Sequence, residues 1–473
     1  MGRYRRLGKN TLLVFTGSAG ARLIGLLMLP FYTHWLSVED YGTADLIGVY
    51  VSLLLGVVTA CITEAVFIFP KGQPVEKQKS YFSSGLVFAL AALALTAVLF
   101  EGVRSLLACN EISGSFTRHT WLIYGLLTTT FLQRYVQQFA RSIDRMLVYG
   151  VTGIVFTGGT ALFSFLLIPR WGVFGYVSAM ILANLLATVY SFLFSKAFKY
   201  LSASAVRKTA CMTMLKFSVP LIPNGVMWWL VSALNRPLIE RHLGVDAVGL
   251  FAVANKFPGI LAIIFSVFAT SWQISAVEEF RRGGYADFFN QVFRWVFAGL
   301  MCCFFVLVLC SQIMVTAFTT EKYYEAWQYV PVLTLGVIFS CISGFAGSTF
   351  SATRESKYLF YSSIWGAVLS VAFNIILIPL FGTMGAAVSV PLSFAVMAVA
   401  RIKYGWKYVK IQHLQRFMWM LLTGVSVIVV MLAVQAIWWK RFLTVFLLLI
   451  FLCLNYPLKK DMVKLYRKRK QNG

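Results

Sequence analysis

Four basic residues, Arg22, Arg134, Arg236 and Lys256, stand well inside long apolar stretches of the sequence, and the acid Glu64 stands in another. Charge at hydrocarbon depth is costly, so such residues face a wet cavity or a partner. Arginine offers a planar fork that fits a phosphate or carboxylate, and lysine offers a compact point charge. Together they could hold an anion inside a membrane. Arg22 and Lys256 lie deepest and read as cavity-lining. For Arg134 a binding role competes with snorkelling or pairing with Asp144, and for Arg236 it competes with an anchor at the outer surface. Glu64 reads as a counter-ion to one of these cations, with proton carriage as its alternative.

The elements that must position these groups centre on residues 214–279. Two apolar spans, 217–239 and 248–276, are each long enough to cross a hydrocarbon core of about 30 Å as a helix. The first is interrupted by Pro220 and Pro223 and carries Asn224, Trp228, Trp229 and Asn235 beside Arg236. The second carries Asn255 beside Lys256, then Pro258 and Gly259. A helix facing only lipid has no use for these side chains. Asn224, Asn235, Asn255 and Trp228 are therefore expected on cavity walls.

Composition sets the class. The 473 residues are 59% hydrophobic and 12% charged, with a mean hydropathy of +0.76, which describes an all-α polytopic membrane protein rather than a soluble domain. The net charge of +25 reflects Lys and Arg collected in cytoplasmic segments rather than a nucleic-acid surface. Scattered cysteines, four histidines without a metal-binding pattern and the lack of a phosphate-loop motif give no sign of a cofactor, a metal centre or a nucleotide. An enzyme acting on a glycan outside the membrane would need a sizeable loop, and every outside loop is short. A transporter is the expected class.

About fourteen spans are expected, near 10–33, 42–69, 82–107, 119–140, 147–168, 173–195, 215–239, 248–276, 289–318, 328–351, 358–379, 383–404, 414–438 and 441–457. The surplus of basic residues in alternate loops, Arg401 among them, puts both termini in the cytoplasm. The chain also repeats. Leu36–Gly42 matches Leu243–Gly249 at an offset of 207, and Leu167–Gly175 matches Leu377–Gly385 at 210. An even number of spans separates the copies, so the halves share one orientation, related by an axis along the membrane normal, around a central cavity. The expected divisions are an N-lobe at 1–195, a cytoplasmic linker at 196–213, a C-lobe at 214–405, and two further helices with a basic tail at 406–473. Tyr323, Tyr324, Trp327 and Tyr329 read as an interfacial aromatic belt.

The sequence Pro220-Leu-Ile-Pro-Asn224, with Asn235-Arg236, Leu243-Gly244, Gly249, Ala254-Asn-Lys256 and Trp272-Gln273, resembles the polysaccharide-transporter branch of the MOP exporter superfamily, the Wzx-type flippases. The resemblance extends to Arg22, Leu36–Gly42, Gln138–Arg141, Tyr324–Pro331 and Leu377–Ala387, over roughly the first 405 residues. It implies a flippase in the bacterial inner membrane that moves an undecaprenyl-diphosphate-linked oligosaccharide from the cytoplasmic to the periplasmic leaflet. It further implies membrane lipids, the glycan polymerase and the chain-length machinery as partners. The family often has Asp-Arg where Asn235-Arg236 stands and an Arg where Ile68 stands, so any role of those two charges does not carry over. A peptidoglycan-precursor flippase is the nearest alternative, and a cation-coupled drug antiporter, which would favour acids at depth, is a more distant one. The topology is checked by cysteine accessibility. A cysteine at Val245 should react with an impermeant reagent from the outer face, and reaction from the cytoplasmic face would overturn the arrangement.

Overall fold

A computed structural model describes residues 24–109, 114–434 and 442–451, with Ala436, Trp438 and Trp439 between the last two stretches. Arg22 and the basic ends of the chain lie outside the described residues. Backbone in hydrocarbon must satisfy its own hydrogen bonds, and every regular element described is helical. In order these are α1 (Leu29–Trp35), α2 (Val38–Val58), α3 (Ile62–Ile68), α4 (Val75–Cys109), α5 (Thr120–Ser142), α6 (Met146–Phe194), α7 (Lys208–Ser218), α8 (Ile222–Ser232), α9 (Asn235–Leu243), α10 (Val245–Arg282), α11 (Tyr285–Phe318), α12 (Val330–Ala352), α13 (Lys357–Gly405) and α14 (Leu414–Ala433), with α15 (Phe442–Phe451) last. Short 3-10 turns and a single turn at Ser115–Arg118 complete the set. Every expected span overlaps described helix, those at 10–33, 414–438 and 441–457 only in part.

Among the described residues, eight helices are long and apolar enough to cross a membrane, and Lys208–Ser232 with Asn235–Leu243, bent by 45°, makes up to nine. α6 and α13 run for 49 residues each and hold two spans apiece. Each folds back at one glycine, Gly172 at φ 53° and ψ −128° and Gly382 at φ 59° and ψ −140°. That left-handed backbone favours a residue without Cβ. Three residues later Gly175 and Gly385 lie against the carbonyls of Leu167 and Leu377, where a Cβ would collide. The repeated Leu-Ile-Pro-x-x-Gly-x-x-Gly motif is thus one hairpin turn built twice. Across the second, Ser389 Oγ donates to Asn374 Oδ1 at 2.9 Å.

The helices gather into two compact units, one holding residues up to Ala252 with Phe318–Tyr323, the other Val253–Ala317 and residues from Tyr324 onward. In the first, Phe82 packs on Phe139 with ring centroids 4.2 Å apart, and the buried Tyr135 hydroxyl donates to the Phe82 carbonyl at 2.7 Å. In the second, Trp272 stacks on Phe345 at 4.3 Å and donates from Nε1 to Ser348 Oγ at 2.7 Å, while Phe293 and Phe297 meet Phe417 of α14. Leu95, Val98, Leu99 and Leu106 of α4 are exposed, as lipid-facing residues are.

Two expectations change. The span 42–69 is not one helix but α2 and α3, parted by Ala60 and Cys61, both at left-handed φ (50° and 52°). The Cys61 N–H donates back to the Gly56 carbonyl, closing α2 as a glycine cap would; no glycine or proline marks the spot. Nor does Tyr323 belong to an aromatic belt. It is fully buried, and its hydroxyl donates to the carbonyls of Ser37 at 2.8 Å and Leu36 at 3.2 Å.

Within the first unit the two copies of one motif meet. A Cβ on Gly42 would strike the Val245 carbonyl, and a Cβ on Gly249 would strike the Val38 carbonyl; Val38 and Val245 stand at the same offset of 207 as the two glycines. Overpacking of this kind costs about 1–3 kcal/mol. Gly249→Ala should therefore lower the melting temperature of the purified protein, while Gly102→Ala, at a position with no neighbour within 4 Å, should not.

Candidate functional site

α5 is the most polar of the long helices in the first unit, with Thr128–Thr130, Gln133, Arg134, Gln137 and Gln138. Thr130, Gln133, Arg134 and Gln137 recur at helical spacing and so share a face. That face lines an open cavity of about 510 Å³, bounded also by residues of α2 and α6, among them Ser52, Tyr149 and Asn184. Its polar wall is ordered. Gln133 Nε2 donates to Gln137 Oε1 at 2.9 Å, Gln137 Nε2 donates to the Tyr149 carbonyl at 2.9 Å, and Asn184 Nδ2 donates to Thr130 Oγ1 at 3.2 Å. Leu55, Leu126, Phe156 and Met180 supply an apolar wall. A cavity of this size, mostly apolar with a few fixed polar groups, has the size and lining typical of ligand pockets.

Among the described residues, Arg134 is the only charged residue on the cavity wall. Among the described residues it makes no ion pair or hydrogen bond, and Glu64 is near enough to interact with it electrostatically without bonding. A guanidinium left so can accept an anionic group in bidentate fashion. Sequence reasoning named Arg134 but missed Gln133, Gln137, Asn184 and Thr130, which were legible as a polar stripe had the periodicity been read for polar rather than apolar residues.

The other expected site residues among those described are not on its wall. Arg236 is buried, and Nε donates to Asp45 Oδ2 at 2.7 Å while Nη1 donates to the Ser232 carbonyl at 2.9 Å and to Asn235 Oδ1 at 3.2 Å. Its guanidinium also lies over the Phe251 ring, 5.4 Å from the centroid. The partner, Asp45, was missed although it stands four positions into an expected span. One turn along α9, Glu240 accepts from the Tyr50 hydroxyl at 3.0 Å and from the Ser115 N–H at 2.6 Å. α9 is thus fastened to α2 at two points. Asn235 serves Arg236 rather than a cavity. Asn224 and Trp228 are exposed, Lys256 is exposed in the second unit, and Asn255 is half-buried there; none lines the cavity.

Arg401, read as a loop cation, is instead buried within α13. It donates from Nη1 to the Ser343 carbonyl at 2.9 Å and from Nε to Ser362 Oγ at 3.0 Å. It ties α12 to α13.

The family model described as "Polysaccharide biosynthesis protein" matches residues 7–273. Among solved structures, the lipid II flippase MurJ in an inward closed conformation aligns over 96% of this chain and 100% of its own, with a TM-score of 0.71 at 13% identity. A multidrug resistance MATE family transporter of the MOP superfamily, in an inward-facing conformation, aligns over 87% of this chain and 96% of its own, with a TM-score of 0.63 at 12% identity. A MOP superfamily transporter from Pyrococcus furiosus, described as having a binding pocket of reverse polarity, aligns over 87% and 95%, with a TM-score of 0.59 at 12% identity. These likenesses establish the fold. No curated relative matches the sequence.

Removing one partner of a buried ion pair strands the other at a cost of about 3–5 kcal/mol. Asp45→Ala should therefore destabilise the purified protein sharply, and the exchange Asp45→Arg with Arg236→Asp should recover part of the loss in thermal melting; equal melting of Asp45→Ala and the parent would refute the pairing.

Proposed function

The chain belongs to the polysaccharide biosynthesis protein family, and from that premise we propose that it flips an undecaprenyl-diphosphate-linked oligosaccharide from the cytoplasmic to the periplasmic leaflet of a bacterial inner membrane. The glycan would be an O-antigen, capsule or similar repeat unit. Such a cargo has an anionic linkage and a hydrophilic head, neither of which enters hydrocarbon unaided. The observation that carries the reading is the cavity wall, where, among the described residues, one unpaired arginine stands among amide and hydroxyl groups with no carboxylate beside it. Amides and hydroxyls offer both donors and acceptors to sugar hydroxyls, and Arg134 offers its charge to an anionic group of the cargo. Arg22 and Lys256 are proposed as further cations on the cargo's path, Glu64 as the counter-ion of Arg134 when the cavity is empty, and the 1–195 and 214–405 lobes as the two bodies of an alternating-access cycle. A single arginine on the described wall favours an anionic cargo over an organic cation.

A second reading, a flippase for a peptidoglycan precursor, is supported by the likeness to the MurJ fold over nearly the whole chain. It shares the lipid diphosphate and differs in the sugar.

In a strain whose surface glycan depends on this protein, Arg134→Ala should cut that glycan at least tenfold with the protein still present in the membrane at its normal level. Arg134→Lys should retain more. Glycan at the parental level in Arg134→Ala would remove the cavity assignment, and rescue of cells depleted of their peptidoglycan-precursor flippase would favour the second reading.

A further inference from the structure

Arg141 lies on α5 two turns beyond Arg134, about 10 Å along the axis, in the last turn of the helix. Its guanidinium carbon is 4.1 Å from the centroid of the Phe67 ring at the end of α3 and 5.4 Å from that of Tyr149 at the start of α6. Tyr149 is also a wall of the cavity. Lys71 shares the Phe67 ring, its Nζ 5.7 Å from the centroid. Among the described residues neither cation has a carboxylate within ion-pair distance or a hydrogen bond through its side chain. A helix C-terminus favours a cation, which accounts for a basic residue there but not for two aromatic rings arranged beneath it.

The second unit supplies an internal comparison. Lys407 also lies over two rings, those of Tyr358 and Tyr408, each centroid 4.6 Å from Nζ. There, however, Glu355 is ion-paired with it, and the pair holds the Lys407 ammonium above its ordinary pKa and the Glu355 carboxyl below its own. That charge is neutralised within the protein. At Arg141 and Lys71 the aromatic seat is present and the counter-ion is missing.

A guanidinium stacked on rings keeps its in-plane N–H groups directed outward, the geometry for bidentate contact with a phosphate. Two cations on one ring suit a ligand with more than one negative charge, as a diphosphate has and a single carboxylate does not. We propose that Arg141 and Lys71, seated on Phe67 and Tyr149, form a binding station for the diphosphate of a polyprenyl-linked cargo, separate from Arg134 within the cavity. This rests on the flippase reading and divides its labour: the diphosphate is held at the end of α5 while the sugar occupies the cavity two turns further in.

The test uses the full chain in lipid nanodiscs and measures binding of geranylgeranyl diphosphate, with geranylgeraniol and inorganic diphosphate as comparison ligands. Arg141→Gln should weaken geranylgeranyl diphosphate at least tenfold and Lys71→Gln severalfold, each with unchanged melting temperature. Arg141→Lys should keep most of the affinity, Phe67→Leu should lose part of it, and Arg104→Gln, at an exposed arginine paired with Glu101, should change it less than twofold. Unchanged binding in Arg141→Gln overturns the station, and so does an equal loss in Arg104→Gln, since the effect would then follow charge anywhere on the protein; in either case the flippase reading stands. Inorganic diphosphate binding as tightly as the lipid would overturn the lipid assignment. Failure of the unaltered protein to prefer the diphosphate over geranylgeraniol would overturn both readings.

Discussion

The closest constraint in the first unit is the crossing of α2 and α10 at Gly42 and Gly249. Each glycine lies on a backbone carbonyl of the other helix's first turn, so neither position tolerates a side chain. Because the two contacts are the same contact made from either copy of one motif, the crossing marks where the duplicated sequence meets itself. Proximity there brings α9, which precedes α10, within reach of α2, and only then can Arg236 find Asp45 and Glu240 find Tyr50. The same helix α2 carries Ser52 and Leu55 onward to the cavity. A backbone approach without side chains thus sets the position of both the buried ion pair and one wall of the site.

Polar chemistry within the spans follows two patterns. Arg236 and Arg401 are buried with their donors occupied by a carboxylate, backbone carbonyls and serine hydroxyls, and such groups fix helix to helix at a cost in desolvation. Arg134 and Arg141 have aromatic or amide surroundings and no such occupation. What separates the groups is saturation of their donors together with burial, since Arg134 is exposed and Arg141 half-buried.

The helices were legible because spans of this length and hydropathy leave the backbone little choice, and the hairpin turns were legible because Gly172 and Gly382 recur within the same motif. The cavity was legible only at Arg134. Its other polar members are uncharged and ordinary in composition, and their meaning lies in a shared face. Asp45 escaped notice because it stands near a span's edge, where an acid is commonplace, and its partner is 191 residues away. The break at Ala60–Cys61 left no trace in residue type, since the hydrogen bond from Cys61 to Gly56 closes the helix without the residues that usually do so. Arg401 was misplaced because a basic residue near the end of an expected span was counted with the loop charges, whereas its donors are taken up inside the packing.

The glycine turns of α6 and α13 bear on how the chain is made. Each joins two membrane spans through so little intervening chain that the pair emerges from a ribosome within seconds, at a rate of about 5–20 residues per second. The second span therefore becomes available to the first within seconds of its synthesis. Ser389 and Asn374 can then bond inside the hairpin while it is still entering the bilayer, so that a polar pair costly to insert singly arrives already satisfied. The duplicated turn is, on this account, as much an instruction for biosynthesis as a feature of the finished protein.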